Sequence, residues 1–368
     1  MSASTGSHSQ RRTRESFVKY DSKKLLFCLR LGITVALLAI IFSKIDIVRV
    51  LASLGRVRVS YALASLFVGY VLPILVMAWR WQVALRVLYK IKAPYGRLLR
   101  HYWTGMFVGY FVPGGLGTDI YRVTRMTSER GGFKLNAAAI FGERLFAVFS
   151  TALLLIASYP AVSGRLVGEP QMTRLVGIIY VVVLSVLVVL GIAAVLNSSL
   201  GARMRNPLGK RIGLEINRVV HEIDGKSGFA NGKLDAWQLV NPFFNWRNQL
   251  PIIAITFLSQ IIASLGGKFL LLSIDVDLPL VTHVFVWTLM YLCFLLPVSI
   301  GGFGIREAAF IIIFGLFGVG REDALASSFI SLASGLITIG AGGLIWLSDG
   351  LKRNASAAQS NAKRDRAI

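Results

Sequence analysis

Long stretches of this chain carry almost no charge, and that constrains its fold more than any other feature. About 20 apolar residues, each rising 1.5 Å, cross a hydrocarbon core of roughly 30 Å, so an apolar run of 18 or more reads as a transmembrane helix. Such runs lie at about Leu25–Ser43, Tyr61–Trp79, Ala137–Ala157, Leu175–Leu196, Leu250–Leu272 and Ala324–Leu347. In the bilayer core no water can satisfy backbone polar groups, which leaves helices as the spanning element. Only 16% of the 368 residues are charged and 55% are apolar, whereas a soluble domain carries about a quarter charged residues. The expected fold class is all-α: a polytopic helical membrane protein with about six full spans.

Two apolar segments break this pattern. Tyr102–Val112 is too short to cross and runs into Pro113-Gly114-Gly115-Leu116-Gly117, followed by Thr118–Met126. Val284–Leu296 runs into Pro297-Val298-Ser299-Ile300-Gly301-Gly302-Phe303-Gly304, followed by Ile305–Phe317. Proline and clustered glycine stop a helix and free backbone groups, which membrane depth tolerates only beside protein or a wet cavity. Each segment is expected to form a re-entrant hairpin, with tips at Pro113, Gly114, Gly115 and Gly117, and at Pro297, Gly301, Gly302 and Gly304. Short, Pro/Gly-interrupted segments in corresponding halves of a chain point to a transporter's binding site.

The placement of positive charge orients the spans. The formal net charge is +22, and the Lys and Arg sit mainly in loops and tails beside the apolar runs. That is the pattern of the positive-inside rule and of anionic lipid surfaces, so nucleic acid is not an expected partner. With the basic N-terminus in the cytoplasm, the loop with Arg86, Lys90, Lys92, Arg97 and Arg100 is cytoplasmic too. The two hairpins then enter from opposite faces, as in an inverted repeat, and the C-terminus returns to the cytoplasm. One loop, Lys44–Arg58, is basic yet falls outside. Trp79, Arg80 and Trp81 read as an interfacial anchor closing the second span.

The chain divides into a disordered basic cytoplasmic tail (1–24), a transmembrane domain (25–348) and a second basic cytoplasmic tail (349–368). Within the domain, residues 197–249 form a cytoplasmic loop in which Ile212, Ile216, Val219, Val220 and Ile223 recur at amphipathic-helix spacing. Two cysteines, Cys28 and Cys293, and four histidines make no disulfide framework or metal cluster. No cofactor or metal is expected. Small residues Gly335, Ala341, Gly342 and Gly343 permit close helix packing, within the chain or in a homo-oligomer.

Six ionisable residues lie in or beside the broken segments: Asp119, Arg122, Glu143, Arg144, Arg306 and Glu307. A lone charge at mid-bilayer costs on the order of 3 kcal/mol on insertion scales, so these charges must pair around a wet cavity. Glu143-Arg144 is expected to open one span, and Arg306-Glu307 the returning helix of the second hairpin. Guanidinium groups match phosphate oxygens bidentately, so Arg122, Arg144 and Arg306 are candidates to hold a phosphate. Asp119, Glu143 and Glu307 would orient them or carry a coupling proton. The alternative is that all six are internal salt bridges locking the hairpins in place. No triad, HExxH or P-loop pattern suggests an enzyme.

Three motifs in order carry a resemblance. They are Pro113-Gly114-Gly115-Leu116-Gly117-Thr118-Asp119-Ile120-Tyr121-Arg122, then Glu143-Arg144-Leu145, then Leu296-Pro297 through Gly304-Ile305-Arg306-Glu307. Together they resemble the lysylphosphatidylglycerol synthase transmembrane, or flippase-like, family. The resemblance implies a helical flippase fold and lipid translocation across a prokaryotic inner membrane. Aminoacyl-transferring relatives carry a following soluble domain; this chain ends at Ile368, so lysyl transfer is not expected. The expected substrate is an anionic phospholipid or a polyprenyl-phosphate-linked glycan. The rival is a secondary transporter or channel for a small soluble ion or solute, which would share the broken helices.

Overall fold

A computed structural model describes residues 45–112, 117–129, 132–166, 246–294 and 303–365, with isolated positions elsewhere. The expected spans Leu25–Ser43 and Leu175–Leu196 fall largely outside these residues. The tail 1–24, nearly all of the loop 197–249, and Pro113, Gly114, Gly115, Pro297, Gly301 and Gly302 also lie outside the described residues.

All regular structure among the described residues is helical. A short α1 (Ile47–Gly55) precedes α2 (Val59–Tyr89), α3 (Tyr95–Tyr110), α4 (Gly117–Glu129) and α5 (Gly132–Val162). After the undescribed stretch come α6 (Trp246–Leu272), α7 (Leu280–Phe294), α8 (Ile305–Gly315) and α9 (Arg321–Asp365). Among the described residues, four helices are long and apolar enough to cross a membrane: Val59–Tyr89, Gly132–Arg165, Arg247–Leu272 and Arg321–Leu351. Each contains one expected span and outruns it. The protein is a multi-pass helical membrane protein.

Helix α2 shows why the apolar runs underestimate the helices. It continues past Trp79 because Ala84, Leu85 and Leu88 extend its buried stripe to Tyr89. Arg80 and Trp81 are therefore not an interfacial anchor; they are buried within the helix, at 5% and 0% exposure. Likewise Glu143 and Arg144 stand in the interior of α5 rather than at its start, because α5 begins at Gly132.

Between the long helices lie two pairs of short ones. At 16 residues, α3 is about 24 Å long at 1.5 Å per residue, short of a 30 Å core. It turns back as α4, and the two backbones meet where side chains vanish: a Cβ on Gly109 would collide with Thr118. Helices α7 and α8 pair through aromatic edges, with Trp287 and Phe310 centroids 5.9 Å apart, and Phe285 meets Phe317, just past the end of α8, at 6.1 Å. Among the described residues the element order long helix, short pair, long helix thus occurs twice: α2 to α5, then α6 to α9.

Polar contacts tie the ends. At one end the Arg58 amide donates to the Ser273 carbonyl (2.8 Å), Arg58 pairs with Asp275 (2.5 Å), and Ser53 donates to Asp323 (2.7 Å). At the other, Arg100 near the start of α3 pairs with Asp349 of α9 (3.3 Å). The basic loop Lys44–Arg58 proves largely helical. Asp46 caps α1 by accepting from the Val48 amide (2.9 Å), and Arg58 has its charge met by Asp275.

The small-residue stripe on α9 is used within the chain. A Cβ on Gly342 would strike the Trp103 backbone, and one on Gly343 would sit 2.8 Å from the Phe107 ring. Helices α2 and α6 cross equally closely at Gly69 and Gly266, where α2 widens into a π-turn at Phe67–Val71. Gly266→Leu is therefore expected to force the helices apart. Overpacking typically costs about 1–3 kcal/mol, and a lowered melting temperature in detergent would register it.

A chain of buried ion pairs ending at a cavity

Helices α2, α4 and α5 bring five charged side chains into one line. Arg80 on α2 stands 3.8 Å from Glu143 Oε1 on α5. Glu143 Oε2 accepts from Arg122 Nη2 of α4 at 2.6 Å. Arg122 Nη1 reaches Asp119 Oδ1 one turn away at 3.4 Å, and Asp119 Oδ2 accepts from Arg144 Nε. Arginine and carboxylate alternate along this ladder.

Aromatic rings fix its middle. The Arg122 guanidinium lies over the Trp81 ring at 4.2 Å and over the Tyr102 ring at 4.7 Å. Arg122 is 2% exposed and Glu143 1%. In such surroundings a charge is tolerated only when paired and hydrogen-bonded. Cation–π stacking adds a further restraint on the guanidinium plane. Arg80 is placed on the far side, with Nη1 donating to Thr256 Oγ1 of α6 at 3.4 Å.

The other end of the ladder is open. Asp119 and Arg144 line a cavity of about 400 Å³, and the Arg144 side chain is 40% exposed. Tyr70, Tyr102, Thr118 and Thr338 add polar edges, while Ile74, Met77, Met106 and Ile339 make most of the remaining wall apolar. Of the three arginines proposed from sequence, Arg144 is the one in the cavity wall. Arg122 sits behind it, with donors on Glu143 and Asp119.

Arg306 and Glu307 form a separate cluster at the start of α8. Gly304 takes φ +80°, a conformation open to glycine, and its amide donates to Glu307 Oε2 at 2.7 Å. Arg306 pairs with the same carboxylate and lies 3.3 Å from Ser328 Oγ of α9. One turn along α9, Ser331 Oγ shares a 2.5 Å hydrogen bond with the Tyr70 hydroxyl, which lines the cavity. Gly117, the described tip residue of the first hairpin, starts α4 packed against Val112 and Gly109.

The model of one family, described as the lysylphosphatidylglycerol synthase TM region, matches residues 27–343. The chain belongs to this family. The match takes in the whole ladder and both short helix pairs. A curated relative, a UPF0104 membrane protein of Methanothermobacter thermautotrophicus, is 26% identical over 287 residues, covering 73% of this chain and 78% of that protein.

Arg80, Trp81, Tyr102 and Tyr70 join the candidate site only in the structure. For Arg80 a signal was present. Ala84, Leu85 and Leu88 carry the apolar helical pattern beyond it, which marks the arginine as interior and in need of a carboxylate. Tyr70 and Tyr102 sit in apolar runs where an aromatic residue is ordinary, and only tertiary contacts reveal them.

Proposed function

We propose that this protein is a flippase that moves an anionic, phosphate-bearing lipid across the inner membrane, with both termini cytoplasmic. The lipid is a phospholipid or a polyprenyl-phosphate-linked glycan. The observation that carries this proposal is the ladder's end: an arginine held by a carboxylate in the wall of a cavity that is otherwise largely apolar. A guanidinium supplies charge and paired donors for phosphate oxygens. The methionine and isoleucine wall suits the first carbons below a headgroup, and Met is adaptable to irregular shapes. A small soluble anion would have no use for that wall.

In this mechanism α3–α4 and α7–α8 are re-entrant hairpins entering from opposite faces, as an inverted repeat. The end contacts support it, since α3 starts beside Asp349 of α9, whereas α7 follows the loop that holds Arg58. Arg144 meets the phosphate. Arg122, Asp119 and Glu143 hold Arg144 in place, and Arg306 with Glu307 performs the matching task in the second hairpin. Moving the substrate needs no covalent step, so the chain acts as a transporter and not as an enzyme. The family's name, taken from an enzyme of anionic-phospholipid metabolism, also favours a lipid substrate.

Native mass spectrometry of the protein extracted gently from its membrane tests this. The expected result is a co-purifying phosphate-bearing lipid that is depleted in Arg144→Glu, where the charge is reversed. Wild-type protein carrying no lipid beyond the detergent background would count against it.

A further inference from the structure

The ladder holds three guanidinium groups, Arg80, Arg122 and Arg144, against two carboxylates, Glu143 and Asp119. One positive charge is therefore in excess among these described residues. The Arg306–Glu307 pair is neutral and adds nothing to the sum. The surplus is traceable to one residue. Glu143 is already met by Arg122 at 2.6 Å, while Arg80 keeps 3.8 Å away, and its Nε has no hydrogen-bond partner among the described residues. Asp119 is met by both Arg122 and Arg144. Taking Arg80 away would leave both carboxylates paired and the ladder neutral.

Resting on the flippase function proposed above, we infer that Arg80 makes the site selective for lipids whose headgroup carries a single negative charge. Arg80 does not line the cavity, so it acts as a positioning and charge-setting residue rather than as a contact. Its charge reaches the cavity because the ladder runs through a poorly screened, apolar interior. A monoanionic phosphodiester at Arg144 brings the whole line to neutrality. A zwitterionic headgroup carries its own ammonium and leaves the surplus in place. A dianionic phosphate overshoots, leaving a negative charge among buried side chains, which such an interior disfavours. One unit charge at roughly 10 Å, at an effective dielectric near 20, is worth about tenfold in a binding equilibrium.

The experiment uses the full chain in liposomes and follows three acyl-labelled probes by loss of outer-leaflet fluorescence. They are phosphatidylglycerol (one negative charge), phosphatidylcholine (net zero) and phosphatidic acid at alkaline pH (two negative charges). Wild type is expected to move phosphatidylglycerol about tenfold faster than either other probe. Arg80→Gln is expected to reduce that ratio to about twofold or less, mainly by slowing phosphatidylglycerol. Arg80→Lys, which keeps the charge, is expected to retain it. The decisive variant is Arg80→Gln with Glu143→Gln, which removes one charge of each sign and restores the surplus; preference for phosphatidylglycerol is expected to return.

A purely structural role for Arg80 would make this double variant worse than either single one, and that result overturns the inference. So does a correctly inserted Arg80→Gln protein with full preference. Should Arg80→Gln fail to insert, the wild-type ratios decide: equal rates for all three probes overturn the inference while leaving lipid transport standing. No movement of any probe by wild type would overturn both the inference and the phospholipid form of the flippase function.

Discussion

Replacing Glu143 by alanine is expected to cost about 3–5 kcal/mol, the loss usually seen when one partner of a buried ion pair is removed. Glu143 is 1% exposed and stands between two arginines from different helices, Arg122 of α4 and Arg80 of α2. Without it, both guanidinium groups remain inside the bundle with one carboxylate, Asp119, at the far end of the line. The three helices would be pushed apart by the charges that now join them. In detergent the melting temperature is expected to fall by roughly 5–10 °C, and yield with it. An unchanged melting temperature would mean that packing, not the ladder, fixes α2, α4 and α5 against one another.

Arg144→Gln separates transport from stability. Arg144 is the most exposed member of the ladder, at 40%, so its loss strands only Asp119, which keeps Arg122 at 3.4 Å. The fold is expected to survive. Lipid movement is expected to drop by about 30-fold, since a hydrogen bond to a charged group is worth about 2 kcal/mol. Arg144→Lys should recover only part of that, because an ammonium restores the charge but not the paired donors. Initial rates in liposomes, normalised to inserted protein, measure both. Equal rates for wild type and Arg144→Gln would remove Arg144 from the substrate's path.

Much of this architecture can be read from residue patterns, and the gaps have physical causes. Tyr61–Trp79, Ala137–Ala157, Leu250–Leu272 and Ala324–Leu347 each fall inside a long helix, because charge-free runs have one solution in a bilayer. Asp119, Arg122, Glu143 and Arg144 stand out because a charge beside an apolar run must find a partner, and the structure joins these four in one line. Helix ends were not legible. An apolar window stops at its first charge, so Arg80 looked like a boundary although Glu143 lets the helix continue around it. The Gly69–Gly266 crossing and the Tyr70–Ser331 hydrogen bond join residues far apart in the chain, and no local pattern announces them. Nor does any local pattern show that Arg58, in the basic stretch before α2, pairs with Asp275, more than two hundred residues away.

The proposed flippase function has the ladder's cavity end serve a lipid. Its most direct test is transbilayer movement of acyl-labelled phosphatidylglycerol in liposomes containing the purified full chain, compared with protein-free liposomes and with Arg144→Gln. The expected result is rapid loss of outer-leaflet label asymmetry with wild type, and a rate near the protein-free value with Arg144→Gln. The contradicting result is correctly inserted wild-type protein that leaves every anionic lipid where it was while passing a small soluble anion.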